Sequence, residues 1–267
     1  MDEIRRPDPL DLYRRYSEAR PAAKDVGTIM PYDWIWLPDP LEATWMIYSQ
    51  MLGDYAREIA NGINAFTMNV RRLNTWSMLM PTLSAAEQNE ATHEFIEPAA
   101  TLALLSPYMI RSRFIFATAH LCHQVNLIRH SEWPESSLPP DAEIYMAAAD
   151  VQGRPWSSYG LLKIRIEALA GRSLRTATAD FRNAFTHRFS PRVERGITNF
   201  AGRHVNESTG EVYYTLGGHE PLGLANVAKL LAAELDKCYG AFEAFQGLVA
   251  EHENFITPYN AEALRRI

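Results

Sequence analysis

From Trp45 to Leu73 the apolar residues Trp45, Tyr48, Leu52, Tyr55, Ile59, Ile63, Phe66, Val70 and Leu73 recur at steps of three and four. Only an α-helix turns such spacing into one continuous stripe, because about 3.6 residues make a turn. The pattern predicts one amphipathic helix over roughly Pro40 to Leu79, with Asp39 as its N-cap, Pro40 at its first position and Pro81 as its stop. The same arithmetic returns near the other end. Leu224, Val227, Leu231, Leu235, Cys238, Phe242, Phe245 and Val249 predict a second long helix over Gly223 to Phe255. Two helices of this length, each with one apolar face, must bury those faces against other helices.

Shorter segments fill the space between. A helix is expected at Pro9–Ala19, within an N-terminal arm over residues 1–39 that is rich in proline and aromatics and packs on the remainder. Ser84 and Glu87 have capping-box spacing and open a helix that Pro107 ends near Leu105. A third follows with Ile110, Phe114, Ala117, Leu121, Val125 and Ile128 inward. Residues 131–156 carry Pro134, Pro139, Pro140 and Pro155 and read as a long connection. Helix resumes over Ser157–Ala170, Gly171 stops it, and another runs from about Leu174 to Arg188. Between residues 193 and 217 the pattern turns to β-branched and aromatic residues around Asn206-Glu207-Ser208-Thr209-Gly210, which predicts a small hairpin. The expected fold is mainly α: an antiparallel bundle of about five to seven helices with one β-hairpin insertion, residues 40–267 forming a single domain.

Within the segment Thr176–Phe189, Phe181 and Phe185 stand four apart and are expected to share a core-facing side. Arg182, Asn183 and His187 fall on the remaining arc. Asp180, Asn183 and His187 line up as a polar stripe, with Arg182 about 140° round the axis from His187. Arg offers a planar, permanently charged fork for phosphoryl oxygens, and His exchanges protons near neutral pH. Together they suit phosphate chemistry without a metal.

Arg182-Asn183, followed after three residues by His187, resembles the Arg-x(4 to 6)-His motif of the HEPN superfamily. The resemblance rests on six residues and on a helical context of about two hundred. It implies an all-helical bundle that works as a homodimer, two motifs meeting in one composite site, and metal-independent RNA cleavage. In that reading His187 is general base or acid, Arg182 stabilises the charge of the pentacoordinate phosphorus, and Asn183 positions the phosphate or the imidazole. The implied products carry a 2′,3′-cyclic phosphate. Asp180 and Arg188 are secondary candidates, and Arg192, Arg195, Arg203 and His204 are candidate RNA or phosphate contacts. The resemblance also implies a role as a toxin or in antiviral defence, with an antitoxin or regulatory partner. Two other readings stand beside it: a non-catalytic HEPN-like module that binds nucleotide, RNA or protein, and a helical scaffold in which the motif is accidental.

Charge distribution bears on the choice. The net charge is −6, yet residues 150–205 hold ten Lys or Arg against four acids. A basic segment on an acidic chain fits contact with a phosphate backbone, and it fits equally well pairing with acids of the fold. Neither a cofactor nor a metal is expected. His120 and His123 lie three apart on the third helix, but Cys122 points elsewhere and no second ligand cluster accompanies them. Cys122 and Cys238 have no CxxC spacing and read as buried thiols. No apolar run approaches about 18 residues, and Met1–Pro21 lacks the apolar stretch of a secretory leader, so a soluble, cytoplasmic chain without membrane contact is expected.

Overall fold

The computed structural model describes residues 7–23 and 26–265. The first six residues of the expected N-terminal arm, and residues 24–25 within it, lie outside them. The fold is mainly helical with one two-stranded antiparallel sheet. In chain order the elements are α1 (Pro9–Ala19), α2 (Met46–Leu79), α3 (Ala85–Ala91), α4 (Glu97–Arg129), α5 (Met146–Gly153), α6 (Tyr159–Ala168), α7 (Arg172–Ala177), α8 (Phe181–His187), β1 (Ala201–Val205), β2 (Val212–Leu216) and α9 (Leu224–Leu264). No described helix is long and apolar enough to cross a membrane.

The chain divides into two compact units. One comprises residues up to Gly27, Phe66–Leu105 and Gly171–Ala233; the other comprises Thr28–Ala65, Ser106–Ala170 and residues from Glu234 onward. α2, α4 and α9 contribute residues to both.

In the first unit, α1 starts where Asp8 accepts a 2.9 Å bond from the Leu10 N–H, and Pro9 stands at the first position. Leu12 and Tyr16 face inward from α1, and Phe66, Val70, Leu73 and Trp76 face inward from α2. Burying each of these side chains contributes roughly 1.5–3 kcal/mol. α3 begins with the predicted capping box, Ser84 and Glu87 satisfying each other's backbone N–H. A π-helical turn at Thr92–Ile96 joins α3 to α4. In the hairpin, Ala201 pairs with Leu216 and Val205 with Val212. Its loop is closed by Asn206, whose side chain accepts from the Ser208 and Thr209 N–H groups, and by Gly210 at φ 71°.

In the second unit the core is aromatic around Trp45, Tyr48, Phe114, Phe242 and Phe245. A buried polar cluster runs through it: Trp156 donates to Asn126 Oδ1 at 2.9 Å, Asn126 donates to the Gln152 carbonyl at 2.8 Å, and His123 bonds Gln152 Oε1 at 3.2 Å. These bonds matter because an unpaired buried polar atom costs about 1–3 kcal/mol, although His123 Nε2, on the other side of its ring, has no hydrogen-bond partner.

Four expectations are corrected. α2 starts at Met46, after a single 3-10 turn at Ala43–Trp45, because the Glu42 carboxylate caps the Thr44 N–H at 2.9 Å and so sets the start beyond Pro40. Pro107 does not end a helix; α4 runs through it. A proline in a helix interior costs about 3 kcal/mol, and the flanking Ala103, Leu104, Ile110 and Phe114 are all buried, which offsets that loss. α9 continues nine residues past Phe255 and likewise contains a proline, Pro258. Finally, the helix expected over Leu174–Arg188 is two helices, α7 and α8.

Candidate functional site

The joint between α7 and α8 sets the geometry of the motif. Ala179 and Asp180 both take positive φ, 50° and 51°. For non-glycine residues this left-handed conformation costs roughly 1–2 kcal/mol each. Buried Thr178 holds the joint: its hydroxyl donates to the Leu174 carbonyl at 2.8 Å, and the Phe181 N–H reaches its oxygen at 3.5 Å. The Asp180 N–H returns to the Arg175 carbonyl at 2.7 Å, while its own carbonyl accepts from Ala184 at 3.0 Å, the first bond of α8. Asp180 therefore leaves the polar stripe that a continuous helix would have given it, and its side chain makes no capping bond.

Phe181 and Phe185 stack at 5.8 Å with 12° between their planes. Phe181 is buried, but Phe185 is 48% exposed, so only the first of the pair belongs to the core. α8 is too short, and too near the surface, to bury both turns of its apolar side.

On the other side of α8, Arg182 and His187 are exposed and Asn183 is half-buried. Asn183 and His187 lie one turn apart on the same face, and Arg182 projects about 140° round the axis from His187 and roughly 7.5 Å along it. Arg188, also exposed, closes the helix at φ −148° and ψ −143° and makes no ion pair among the described residues. None of Arg182, Asn183 and His187 lines any of four well-formed cavities among the described residues. One copy thus offers an imidazole and a carboxamide together and a guanidinium turned away from them.

One of these cavities, about 250 Å³, lies on the phenylalanine side of α8, between Phe181 and Phe185, the start of α4 and residues 190–193. His93, Glu97 and Thr101 line it, and no sequence signal marked them, since His93 sits in the π-helical turn that no periodicity announces. Arg192 also lines it, with its charge paired to Glu97 at 2.8 Å. Arg195 donates to Gln88 of α3. Arg203 and His204 stay on the hairpin: Arg203 pairs across the strands with Tyr214, and His204 bonds Thr215 at 2.9 Å and stacks on Tyr213. The structure therefore gathers Arg182, Asn183, His187 and Arg188 on one short helix and sets Arg192, Arg195, Arg203 and His204 on other elements.

The two histidines weighed for metal have other partners. His120 faces Asp141 at 3.1 Å, and burial holds its pKa below the ordinary range, with Asp141 opposing that shift. His123 belongs to the Gln152 cluster. Cys122 and Cys238 are both buried free thiols, and burial raises the pKa of each.

No protein-family model, no curated protein and no solved structure matches the chain.

Proposed function

We propose that the chain is a metal-independent RNA endonuclease of HEPN type that acts as a homodimer. The observation that carries this reading is α8 itself: Arg182, Asn183 and His187 held at the surface by a strained joint and two stacked phenylalanines. Strain of this kind persists where the surrounding structure over-determines it, and functional sites are where it gathers. With Arg182 turned away from His187 in one copy, a second copy supplies the missing half.

In the reaction, His187 takes the proton of a ribose 2′-hydroxyl as its oxygen attacks the adjacent phosphorus. The P–O5′ bond breaks, the 5′-oxygen leaves with a proton from an acid, and the 2′,3′-cyclic phosphate remains. Arg182 stabilises the added negative charge on the phosphoryl oxygens, a role that a fixed guanidinium suits. Asn183, one turn before His187, holds the phosphate or the imidazole.

The test is cleavage of a mixed RNA pool in EDTA by wild type, Arg182→Ala and His187→Ala, each checked for folding and dimerisation. Wild type is expected to give cyclic-phosphate ends, and each variant to lose about 10²–10⁴ in rate. A second reading, a binding module without catalysis, is favoured by the exposure of Arg182 and His187 on a short surface helix in one copy. It predicts RNA binding without cleavage, retained in His187→Ala. An inert wild type whose RNA affinity neither variant changes would sink both readings.

A further inference from the structure

The largest aromatic cluster of the first unit borders a cavity of about 370 Å³ that holds none of the motif residues. α1, the C-terminal half of α2 and the π-helical turn bound it. Trp76 stacks on Tyr16 at 5.1 Å and 21°, and on Phe95 at 5.1 Å and 15°. Tyr13, 53% exposed, leans on the cluster at 6.0 Å from Tyr16 and 6.5 Å from Phe95. All four rings line the cavity, and an aromatic wall of this kind is a surface against which a flat ring can lie.

Three guanidinia, of Arg20, Arg71 and Arg72, border the same space against one carboxylate, Glu94. Arg71 serves the fold, donating to the carbonyls of Val26 and Gly27 at 2.8 Å each. The other two are exposed and have little internal use. The Arg20 guanidinium makes no hydrogen bond or salt bridge among the described residues, and that of Arg72 donates to Asn69 at 3.1 Å. Both lie near enough to Tyr16 to lower the pKa of its hydroxyl, although burial outweighs them and leaves it raised.

Independently, Phe95 and Glu94 reach this wall from the π-helical turn at Thr92–Ile96. A π-turn is rarer and less stable than the α-helix on either side of it, and such turns are frequent at functional sites. A ring surface beside two exposed guanidinia, neither of them in an ion pair among the described residues, is complementary to a flat base carrying phosphate.

We propose that this cavity binds a nucleoside phosphate, its base against Tyr13 and the Tyr16–Trp76–Phe95 stack and its phosphate on Arg20 and Arg72. A free nucleotide and an unpaired nucleotide of an RNA strand offer the same chemistry. The site stands whether or not α8 cleaves RNA.

The experiment is isothermal titration of the full chain with a nucleoside diphosphate, with the parent nucleoside, with pyrophosphate, and with a short single-stranded RNA. The diphosphate is expected to bind one per chain, and nucleoside and pyrophosphate each at least about tenfold more weakly. The exposed double substitution Arg20→Ala with Arg72→Ala is expected to weaken binding by about 10–100-fold or more, the effect of removing charge-assisted bonds to phosphate. Tyr13→Ala is expected to weaken it several-fold, with unchanged thermal midpoints for both variants. RNA binding tighter than the diphosphate, with the same sensitivity to Arg20 and Arg72, assigns the site to a strand; the reverse order assigns it to a free nucleotide. Absence of binding at millimolar diphosphate overturns the proposal. So does binding unaffected by the double substitution, or binding lost in His187→Ala while the double variant keeps it.

Discussion

His252 is fully buried on α9 in the second unit, its ring 4.3 Å from that of Trp156. Nδ1 shares a 2.9 Å hydrogen bond with the Tyr48 hydroxyl, and Nε2 lies 3.7 Å from Cys122 Sγ. Burial pushes its pKa down to about 3, Glu251 opposing and Arg129 adding to the shift. In the unfolded chain the group titrates near 6.5. Between those values the unfolded state binds a proton that the folded state refuses, so this contribution is complete above about pH 6.5 and is lost as pH falls towards 3. Urea midpoints should therefore drop from pH 7.5 to 5, by up to about 1.4 kcal/mol per pH unit below 6.5, and His252→Gln should flatten most of that slope. Half-buried His120, also held low, adds a smaller slope of the same sign. Parallel slopes for wild type and variant would show that burial of His252 does not govern the acid response. Nothing in the sequence singled out His252, for one histidine in an apolar helix has the same spacing whether it is a neutral core residue or a surface one. Asn183 and His187 were legible because helical spacing alone puts them on one face; the place of Asp180 was not, because it depends on a backbone angle.

Among the elements, Glu87 makes the connections that a single substitution can separate. One carboxylate oxygen accepts the Ser84 N–H at 2.7 Å and the other accepts Arg15 of α1 at 2.7 Å. The capping bonds, with Arg15 second, hold its pKa below the usual carboxylate range. Ser84→Ala should remove one cap bond and cost about 1 kcal/mol in urea unfolding. Glu87→Ala should cost more, because it also frees α1, and Arg15→Ala in that background should add little. A Glu87→Ala loss no larger than that of Ser84→Ala would mean the ion pair to α1 is energetically idle, as exposed pairs often are. The capping box, α1 and the two long apolar stripes were readable because each signal is local and the tertiary packing agrees with it. Pro107 misled because its penalty is local and the burial that outweighs it is not. The break at Thr178–Asp180 left no trace in the sequence: Ala179 has no preference for positive φ, and the usual punctuation by glycine is missing.

At the scale of the molecule, the proposed homodimer needs a surface, and the exposed hairpin is the candidate for it. Its register puts Val205, Val212, Tyr214 and Leu216 on one face, with Arg203 among them. These four apolar side chains are 49%, 47%, 71% and 75% exposed, and Phe200 beside the strands is 62% exposed. A lone two-stranded hairpin is marginal in water, and this one is exposed along nearly all of both strands, its apolar face included. The exposed apolar surface amounts to several hundred Å², on the order of the ~800 Å² that each partner commits to a standard interface. In the proposed dimer a second copy with the same face would complete it about a two-fold axis, and the composite site proposed for α8 needs such an axis to bring Arg182 of one copy towards His187 of another. Tyr214→Lys with Leu216→Lys should therefore give a monomer in equilibrium sedimentation. Because both side chains are exposed, the stability of the monomer should change by no more than about 0.5 kcal/mol. If α8 works only as a composite site, RNA cleavage should fall with the dimer and return as protein concentration is raised. A wild type that sediments as a monomer at tens of micromolar, or a double variant as dimeric as wild type, would remove the hairpin from the interface. Cleavage retained by a monomeric variant would instead leave the dimer intact as an assembly and take it out of the chemistry.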